Sequence, residues 1–111
     1  HVPFRFNGNV VNYDLITNLP KFTTVEVPCF ADKNGVNSIS VGELPLQLAA
    51  LNSMNVNVIE MAVEAAITGD RELVYQAVSL DPLTMSVVEL SDIRKMCDEL
   101  FEAEARWLPQ F

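Results

Sequence analysis

The longest apolar segment of the chain runs from Val41 to Thr84 and reads VGELPLQLAALNSMNVNVIEMAVEAAITGDRELVYQAVSLDPLT. Pro45 favours the start of a helix, because a proline in the first turn loses no hydrogen bond, and Gly69 favours its end. The sequence therefore predicts a helix over residues 45–68. Its apolar positions lie on most of the circumference, so this helix needs cover on most sides. These positions are Leu48, Leu51, Met54, Val58, Ile59, Met61, Ala62, Ala65 and Ala66.

A strict alternation over residues 23–31 predicts a β-strand. Pro28 assigns that strand to an edge or a bulge, because proline cannot donate to a sheet hydrogen bond. Residues 32–35, Asp-Lys-Asn-Gly, have the composition of a tight turn, and residues 36–41 supply the partner strand. The result is a predicted hairpin over 23–41. The residues on one face of its first strand are Val25, Val27, Cys29 and Ala31.

Three further helix starts follow the apolar helix. Asp70 is typical of the N-cap of a short helix that ends near Ser79, and Asp81-Pro82 marks the next start. Ser86 and Glu89 have capping-box spacing. The last helix is predicted to cover about residues 91–108. The side chains predicted to face inward are Ile93, Met96, Cys97, Leu100, Phe101 and Trp107. Three pairs on its outer face have the i,i+4 spacing of ion pairs: Arg94–Asp98, Lys95–Glu99 and Glu102–Arg106.

The whole chain is predicted to be one α+β domain, a β-hairpin packed with about three helices. Its 111 residues fit a single domain. Residues 1–20 form a polar loop region around one or two short strands, residues 23–41 the hairpin, and residues 45–108 the helices. Cys29 and Cys97 could form one disulfide, and we predict buried free thiols instead, because cysteine is among the most often buried residue types.

Charge and composition narrow the functional classes. The chain has 7 basic and 15 acidic residues, a net charge of −8, which argues against binding to nucleic acid or to an anionic membrane. No signal peptide is visible, and no apolar stretch reaches the roughly 20 residues that span a bilayer. An acidic cytoplasmic protein is expected. The first residue is His1 instead of Met, which suggests a fragment or the remnant of a tag.

No catalytic or cofactor-binding constellation is found in the chain by itself. Glu60 and Glu64 form a polar stripe with Asn57, which we interpret as the solvent-exposed face of the helix or as a contact with another domain. An acid–base pair needs two different pKa values, and no neighbouring residue would separate those of Glu60 and Glu64, so we do not assign catalysis to them. The single histidine is His1, so a nucleophile–histidine pair or a zinc site cannot be assembled. No Gly-rich phosphate-binding motif is present. Catalytic residues, metal ligands and cofactor contacts are therefore predicted to be absent from the segment.

The first twenty residues contain four asparagines that remain candidates for binding a substrate. An asparagine amide donates and accepts hydrogen bonds, which suits sugar hydroxyls and turn backbones alike. Both interpretations stay open for Asn7, Asn9, Asn12 and Asn18.

An ordered series of segments resembles a known enzyme family. They are FRFNGNVVNYDLITNLP (4–20), VEVPCFADKNGV (25–36), VGELPLQLAALN (41–52), NVNVIEMAVEAAITGDRELVYQA (55–77), LDPLT (80–84) and DELFEAEARWLP (98–109). Together they resemble the C-terminal part of glycoside hydrolase family 4, and most of all its α-galactosidase and α-glucosidase types.

This resemblance implies the C-terminal half of an architecture like that of malate and lactate dehydrogenases. It also implies a parent enzyme that uses NAD and Mn²⁺ to cleave an α-linked glycoside by oxidation, elimination, addition and reduction, unlike two-carboxylate hydrolases. In the family the Rossmann half, the metal ligands and the acid and base lie upstream, and Cys29 is not the metal-binding cysteine. The segment is therefore expected to be inactive alone, to contact the upstream half, and to belong to a homo-oligomer.

Two expectations remain to be tested. In the resembling enzyme, the segment from Asn7 to Asn18 is expected to lie near the sugar pocket. The alternative to a glycosidase segment is a stand-alone helical interaction or oligomerisation module, without catalysis, that binds a partner through residues 45–68. A self-sufficient hydrolase would require a carboxylate pair that the sequence does not offer.

Overall fold

The computed structural model describes residues 2–108 and 111, and within them the chain forms three strands and four helices. The α+β prediction is confirmed, with one strand in the first twenty residues, where one or two short strands are expected, and with four helices where about three are expected. Residues up to Ser53 form one compact unit, the sheet unit, and residues from Met54 onward form a second, the helical unit. The elements are β1 (Phe4–Val11), β2 (Thr24–Asp32), β3 (Gly35–Ser38), α1 (Leu46–Thr68), α2 (Arg71–Leu80), α3 (Pro82–Val87) and α4 (Leu90–Ala103).

The three strands form an antiparallel sheet in the order β1-β2-β3. Alternation along β2 buries Val25, Val27 and Cys29, as predicted, because successive side chains point to opposite faces. Strand β1 lies in the region for which the sequence predicts loops around one or two short strands. The core of the sheet unit consists of Ile16, Leu19, Val25, Val27 and Cys29, with Phe6, Val10, Leu15 and Leu44 packed against it.

Gly8 allows β1 to pack closely on β2. It pairs with Val27, and a Cβ atom at this position would lie 3.0 Å from the ring of Phe6 and 3.2 Å from Sγ of Cys29. Since Cys29 is fully buried, its sulfur cannot easily move away. A glycine therefore packs at this position without displacing its neighbours.

The prediction that Pro28 marks an edge strand or a bulge is wrong. Pro28 lies in β2, the central strand, and the register with β1 is unbroken from Phe4 to Val11. Its carbonyl accepts a hydrogen bond from the N–H of Ile39 at 3.0 Å, so its nitrogen also faces the β3 side. Strand β3 ends at Ser38, which pairs with Cys29, so Pro28 lies beyond the end of the β2–β3 ladder and no hydrogen-bond donor is needed from its nitrogen.

The predicted hairpin turn is present, and its second strand is shorter than expected. The Asp32 carboxylate accepts a hydrogen bond from the N–H of Asn34 at 2.7 Å, and Gly35 has a φ of 111°. Strand β3 covers only Gly35–Ser38, whereas the alternation predicts a strand to Val41. Beyond it the chain pairs with the loop after β1, where the carbonyl of Leu15 accepts from the N–H of Val41 at 2.8 Å.

Helix α1 has the predicted limits, from Leu46 to Thr68, and Gly69 ends it with a φ of 71°. Ala49 and Ala65 are its buried residues. Most of its large apolar side chains are exposed within this chain. The exposed ones are Leu46, Leu48, Leu51, Met54, Ile59, Val63 and Ile67.

The short helices are capped by aspartates. Asp70 accepts from the N–H groups of Glu72 and Leu73, as predicted, and Asp81 accepts from Thr84 at the start of α3. The predicted Ser86–Glu89 capping box is wrong, because α4 begins at Leu90 with Glu89 as its N-cap, and the Ser86 hydroxyl donates to the Leu83 carbonyl.

The core of the helical unit lies between α2 and α4. Tyr75, Ile93 and Cys97 are buried there, with Val78, Val88 and Phe101 packed against them. The last helix ends at Ala103 instead of about Leu108, so Trp107 is 70% exposed and its predicted inward orientation is wrong. Leu100 is also exposed. Both cysteines are buried free thiols, as predicted.

None of the helices in residues 2–108 is long and apolar enough to cross a membrane.

Candidate functional site

One buried asparagine organises the loop between β1 and β2. The Asn12 amide nitrogen donates to the carbonyls of Ile16 at 2.9 Å, Leu19 at 3.3 Å and Pro20 at 3.1 Å. Its side-chain oxygen accepts from the N–H groups of Leu15 and Ile16, both at 3.0 Å. Asn12 is completely buried, so one side chain replaces the water that these backbone groups would otherwise need. We call residues 12–23 the Asn12 loop.

The Asn12 loop contains two strained positions. Asp14 and Phe22 have φ values of 60° and 69°, which non-glycine residues seldom adopt. Such strain persists only where the surrounding contacts over-determine the backbone, and it often marks functional segments. Here the Phe22 N–H donates to the Asn12 carbonyl at 3.2 Å, so the asparagine holds both ends of the loop.

The outer surface of the Asn12 loop combines two aromatic rings with an ion pair. The rings of Tyr13 and Phe22 meet edge to face at 5.6 Å, and both residues are about 70% exposed. Lys21 donates to the Asp14 carboxylate at 3.0 Å beside them. The residue types in this stretch did not single out the aromatic pair, because only the fold brings positions 13 and 22 together.

The other asparagine of this loop holds it to a distant segment. The Asn18 amide nitrogen donates to the Leu44 carbonyl at 2.8 Å, and its oxygen accepts from the Leu44 N–H at 2.9 Å. The hydroxyl of Ser40 also donates to the carbonyl of Asp14 at 3.3 Å. The loop is therefore fixed along the stretch that leads into α1.

The four candidate asparagines separate into two pairs. Asn12 and Asn18 have their amides bonded to backbone groups, so in this structure they hold the loop, and a substrate contact by either stays a prediction. Asn7 and Asn9 are exposed and lie on the outward face of β1, across from Pro28 and Glu26. The structure thus leaves the amides of Asn7 and Asn9 accessible, and their binding of a substrate stays a prediction.

The helical unit contains a cluster that the sequence reasoning missed. The Tyr75 hydroxyl donates to the Asp98 carboxylate at 2.5 Å and accepts from Nε of Arg71 at 2.7 Å. Arg71 also donates to the same Asp98 oxygen at 2.8 Å. These contacts join α2 to α4. The i,i+4 spacing of Arg71 and Tyr75 was the one available signal in the sequence.

A second arginine packs on the same tyrosine. The Arg94 guanidinium lies 4.3 Å from the ring centroid of Tyr75 and donates to both carboxylate oxygens of Glu72, at 3.2 and 3.0 Å. We call Arg71, Glu72, Tyr75, Arg94 and Asp98 the Tyr75 cluster. The predicted Arg94–Asp98 pair is wrong, since both residues bond across to α2, whereas Lys95 and Glu99 do approach to 3.9 Å.

The hydrogen bonds explain the electrostatics of the Tyr75 cluster. The bond from Tyr75 lowers the pKa of Asp98, with Arg71 adding to the effect, and the same bond raises the pKa of Tyr75. Bonds from Thr84 lower the pKa of Asp81. None of these shifts moves a pKa toward 7, so Tyr75, Asp81 and Asp98 are not tuned as acids or bases for neutral pH.

The concave sites of the helical unit include an apolar cavity and a more polar groove. A cavity of about 190 Å³ is lined entirely by apolar residues, and a groove of about 530 Å³ runs beside the Tyr75 cluster. Burial raises the pKa of the Cys97 thiol in the cavity, which makes it a poor nucleophile. The cavity residues are Val74, Val78, Cys97, Leu100, Phe101, Leu108 and Phe111, and those of the groove are Glu72, Tyr75, Gln76, Ser79, Leu80, Leu90 and Arg94.

The remaining candidates for chemistry do not assemble a site. Glu60 and Glu64 are exposed on α1 together with Asn57. Across residues 2–108 and 111, no three His, Cys, Asp or Glu side chains are placed to bind one metal ion. That the segment by itself binds neither a metal ion nor a dinucleotide stays a prediction.

Comparison with known proteins gives one consistent family. The sequence model for the family 4 glycosyl hydrolase C-terminal domain matches residues 1–84. An alpha-galactosidase of Bacillus subtilis (strain 168) is 51% identical over 109 residues, which cover 98% of this chain and 25% of that protein.

Solved structures agree with this match. A 6-phospho-alpha-glucosidase from gut microorganisms, in complex with NAD and glucose-6-phosphate, is 26% identical with a TM-score of 0.85 over 97% of this chain and 24% of its own. A second 6-phospho-alpha-glucosidase structure from gut microorganisms, with NAD and Mn²⁺, shares the fold with a TM-score of 0.88 at 23% identity, over 97% of this chain and 24% of its own. The chain thus spans about a quarter of the length of these relatives.

Proposed function

This chain belongs to family 4 of the glycosyl hydrolases, as their C-terminal domain, and on that premise we propose that it is the C-terminal segment of an α-galactosidase-type enzyme. The observation that supports this most is the 51% identity to an alpha-galactosidase over 98% of the chain. Because the match covers a quarter of that relative, the activity would belong to the longer parent protein, which we expect in the cytoplasm.

We propose that the segment is inactive alone and that NAD and Mn²⁺ bind to other parts of the parent. The related structures contain these groups, and residues 2–108 and 111 of this chain have no cluster of metal ligands. The proposed reaction is hydrolysis of an α-glycosidic bond through oxidation, elimination, addition and reduction of the sugar. We assign no residue of this segment to a step, since hydrogen bonds lower the pKa values of Asp81 and Asp98, away from the range of an acid or base that works near neutral pH.

The proposed contribution of this segment is to form a wall of the sugar pocket. The Asn12 loop is held by hydrogen bonds, contains two strained positions and presents two aromatic rings and an ion pair at its surface, which suits a segment that must hold a fixed shape beside a ligand. Asn12 and Asn18 would act by holding the loop, and Asn7 and Asn9 would meet the substrate directly. This division follows from which amides are already bonded.

The division can be tested in the full-length parent. Asn9→Ala is expected to raise KM for the glycoside while the melting temperature stays unchanged, because the amide is exposed. Asn18→Ala is expected to lower the melting temperature, because it leaves both backbone groups of Leu44 without their partner. Unchanged kcat/KM in Asn9→Ala and in the matched Asn7→Ala variant would overturn the substrate contact.

The exposed apolar residues of α1 would be buried in the parent. Seven large apolar side chains of α1 are exposed here, among them Leu46 at 83% and Ile67 at 76%, and exposed apolar surface on this scale marks an interaction site. We propose that α1 contacts the upstream half and contributes to a homo-oligomer interface. In the isolated chain the same surface should cause self-association, which sedimentation would detect as a mass that rises with concentration.

A matched pair of variants tests that association. Ile59→Gln removes an exposed apolar side chain without changing charge, whereas Asn57→Gln changes a residue of the polar stripe by one methylene. The first should shift the isolated chain toward monomer and the second should not. A clean monomer at high concentration for the unaltered chain would contradict the proposal.

The alternative function is a stand-alone module that binds a partner through the same helix. The exposure of α1 favours it as much as it favours the glycosidase, so the two differ only in whether the segment completes an enzyme. A chimera decides: this chain replaces the corresponding quarter of the B. subtilis alpha-galactosidase. The glycosidase proposal expects NAD- and Mn²⁺-dependent α-galactoside hydrolysis by a folded chimera. A folded but inactive chimera would favour the module.

A further inference from the structure

The alternation of hydrogen-bonded and non-hydrogen-bonded positions along β1 identifies which of its backbone groups do not bond to β2. Across the end of the β1–β2 pair, the N–H of Asn12 donates to the carbonyl of Thr23 at 2.8 Å. Hydrogen-bonded and non-hydrogen-bonded positions alternate in an antiparallel pair, so the even-numbered residues of β1 bond to β2. Pro28 gives the same answer independently. Its carbonyl bonds to the β3 side, so it does not bond to its partner Asn7, and the backbone N–H and C=O of Asn7 therefore point away from β2.

The odd-numbered residues of β1 consequently direct their N–H and C=O groups to the outer edge of the sheet. These residues are Arg5, Asn7, Asn9 and Val11. Within residues 2–108 and 111, only the Val11 carbonyl has a backbone partner there, the N–H of Tyr13 at 2.9 Å. We call this row of groups the β1 edge.

The apolar face of the sheet is also less well covered at the β1 edge than at its centre. Val25, Val27 and Cys29 of β2 are at most 5% exposed, whereas Phe6 and Val10, their partners on β1, are only partly buried. Phe4 lies on the same face, stacks on Phe6 at 6.1 Å, and is 67% exposed. Side chains of one more strand would cover these residues.

The opposite edge of the sheet has the protection that the β1 edge lacks. Strand β3 has only 4 residues, and short edge strands discourage further pairing. Strand β1 has 8 residues, an unbroken register, no proline and a single charge at Arg5. A long, regular edge with few charges is a template for another strand.

We propose that an extended segment from the rest of the parent polypeptide pairs with the β1 edge and makes β1 an interior strand. The inference rests on the proposed function, because it takes the relatives' length, about four times that of this chain, as the source of the segment. A strand from the same polypeptide is favoured over a second copy, since its local concentration is high without an association step. Apolar residues alternate along it and cover Phe4 and Phe6.

Residue-resolved hydrogen exchange in the full-length parent tests the pairing. The N–H groups of Asn7 and Asn9 should exchange roughly 100-fold more slowly than those of an unpaired chain, like the inward N–H groups of Gly8 and Val10. Fast exchange at Asn7 and Asn9 beside slow exchange at Gly8 and Val10 would overturn the proposal. Protection that disappears on dilution would overturn it as well, because the partner would then be a second copy.

Proline substitution provides a second readout that a substrate role of the side chain would not affect. Asn9→Pro removes an outward N–H and is expected to lower the melting temperature of the parent by roughly 5 °C or more, whereas Asn9→Ala keeps the N–H and the melting temperature. Val36→Pro is the matched control, because Val36 faces the free edge of β3. Equal effects of Asn9→Pro and Val36→Pro would contradict the pairing. These readouts require no activity, so they fail or succeed separately from the glycosidase proposal.

Discussion

The two units of this chain each rely on a polar cluster, and the clusters are built in opposite ways. In the sheet unit one fully buried side chain, Asn12, satisfies five hydrogen bonds with nearby backbone groups. In the helical unit the Tyr75 cluster distributes its bonds over five side chains, and its ion pairs are about half exposed. A buried polar group has no solvent to replace a lost partner, whereas an exposed one does. Burial should therefore decide how much each contact contributes.

Removal of the Asn12 amide should have the largest effect on stability. Asn12→Ala leaves the backbone groups of Leu15, Ile16, Leu19 and Pro20 without partners in a dry site, at a cost of roughly 3 kcal/mol or more. Urea denaturation of the 111-residue chain measures this. Asn9→Ala, at an exposed asparagine, should change the free energy of unfolding by less than about 0.5 kcal/mol. Equal effects of the two substitutions would show that the burial of Asn12 is not what matters.

The packing at Gly8 should give the second largest effect. Gly8→Ala places a methyl group against the fully buried sulfur of Cys29 and the ring of Phe6, and the adjustment should cost about 1–2 kcal/mol. Urea denaturation again provides the measurement. The double variant Gly8→Ala, Cys29→Ala tests the cause, since removal of the sulfur should relieve part of the effect of the alanine. Additive effects would contradict the steric explanation.

The sheet unit also shows where sequence reasoning succeeded and where it could not. Alternation and the Asn-Gly pair predicted the hairpin, and Pro45 and Gly69 predicted both ends of α1. Strand β1 was harder, because Gly8 interrupts the apolar face formed by Phe6 and Val10, and glycine and asparagine together are typical of turns. The role of Asn12 was inaccessible, since its partners are backbone groups that any sequence carries and only the fold positions them.

The Tyr75 cluster failed to appear in the sequence analysis for a related reason. The i,i+4 rule paired Arg94 with Asp98 along α4, and in the structure both residues turn to α2 instead. A residue on that helix face has neighbours on the same helix and on the next one, and spacing reports only the first kind. Residue spacing along one helix therefore could not predict the part of the candidate site that consists of side-chain contacts between helices.

Loss of the Tyr75 hydroxyl should have a smaller and pH-dependent effect. Tyr75→Phe removes the bond that lowers the pKa of Asp98 below its ordinary value of 3.8, so the wild type should lose its advantage as pH falls below about 4. The same bond raises the pKa of Tyr75 above 10.0, so that contribution is present below pH 10 and is lost at higher pH. Thermal unfolding from pH 3 to 11 measures the difference, and a difference that stays constant over this range would contradict the assignment.

The smallest effect is expected for the exposed pair Lys95–Glu99, and it completes the comparison between buried and exposed contacts. These side chains are 76% and 70% exposed and only approach to 3.9 Å, so Glu99→Gln should cost less than about 0.5 kcal/mol. Glu72→Gln is the matched substitution, because Glu72 binds Arg94 through both oxygens and thereby holds the guanidinium over the Tyr75 ring. It should lower the melting temperature more than Glu99→Gln, and added salt should reduce its effect only in part, since the cation–π contact with the ring persists in salt. If the two variants unfold alike at low salt, exposure alone sets the strength of these contacts, and the geometry of the Tyr75 cluster contributes nothing.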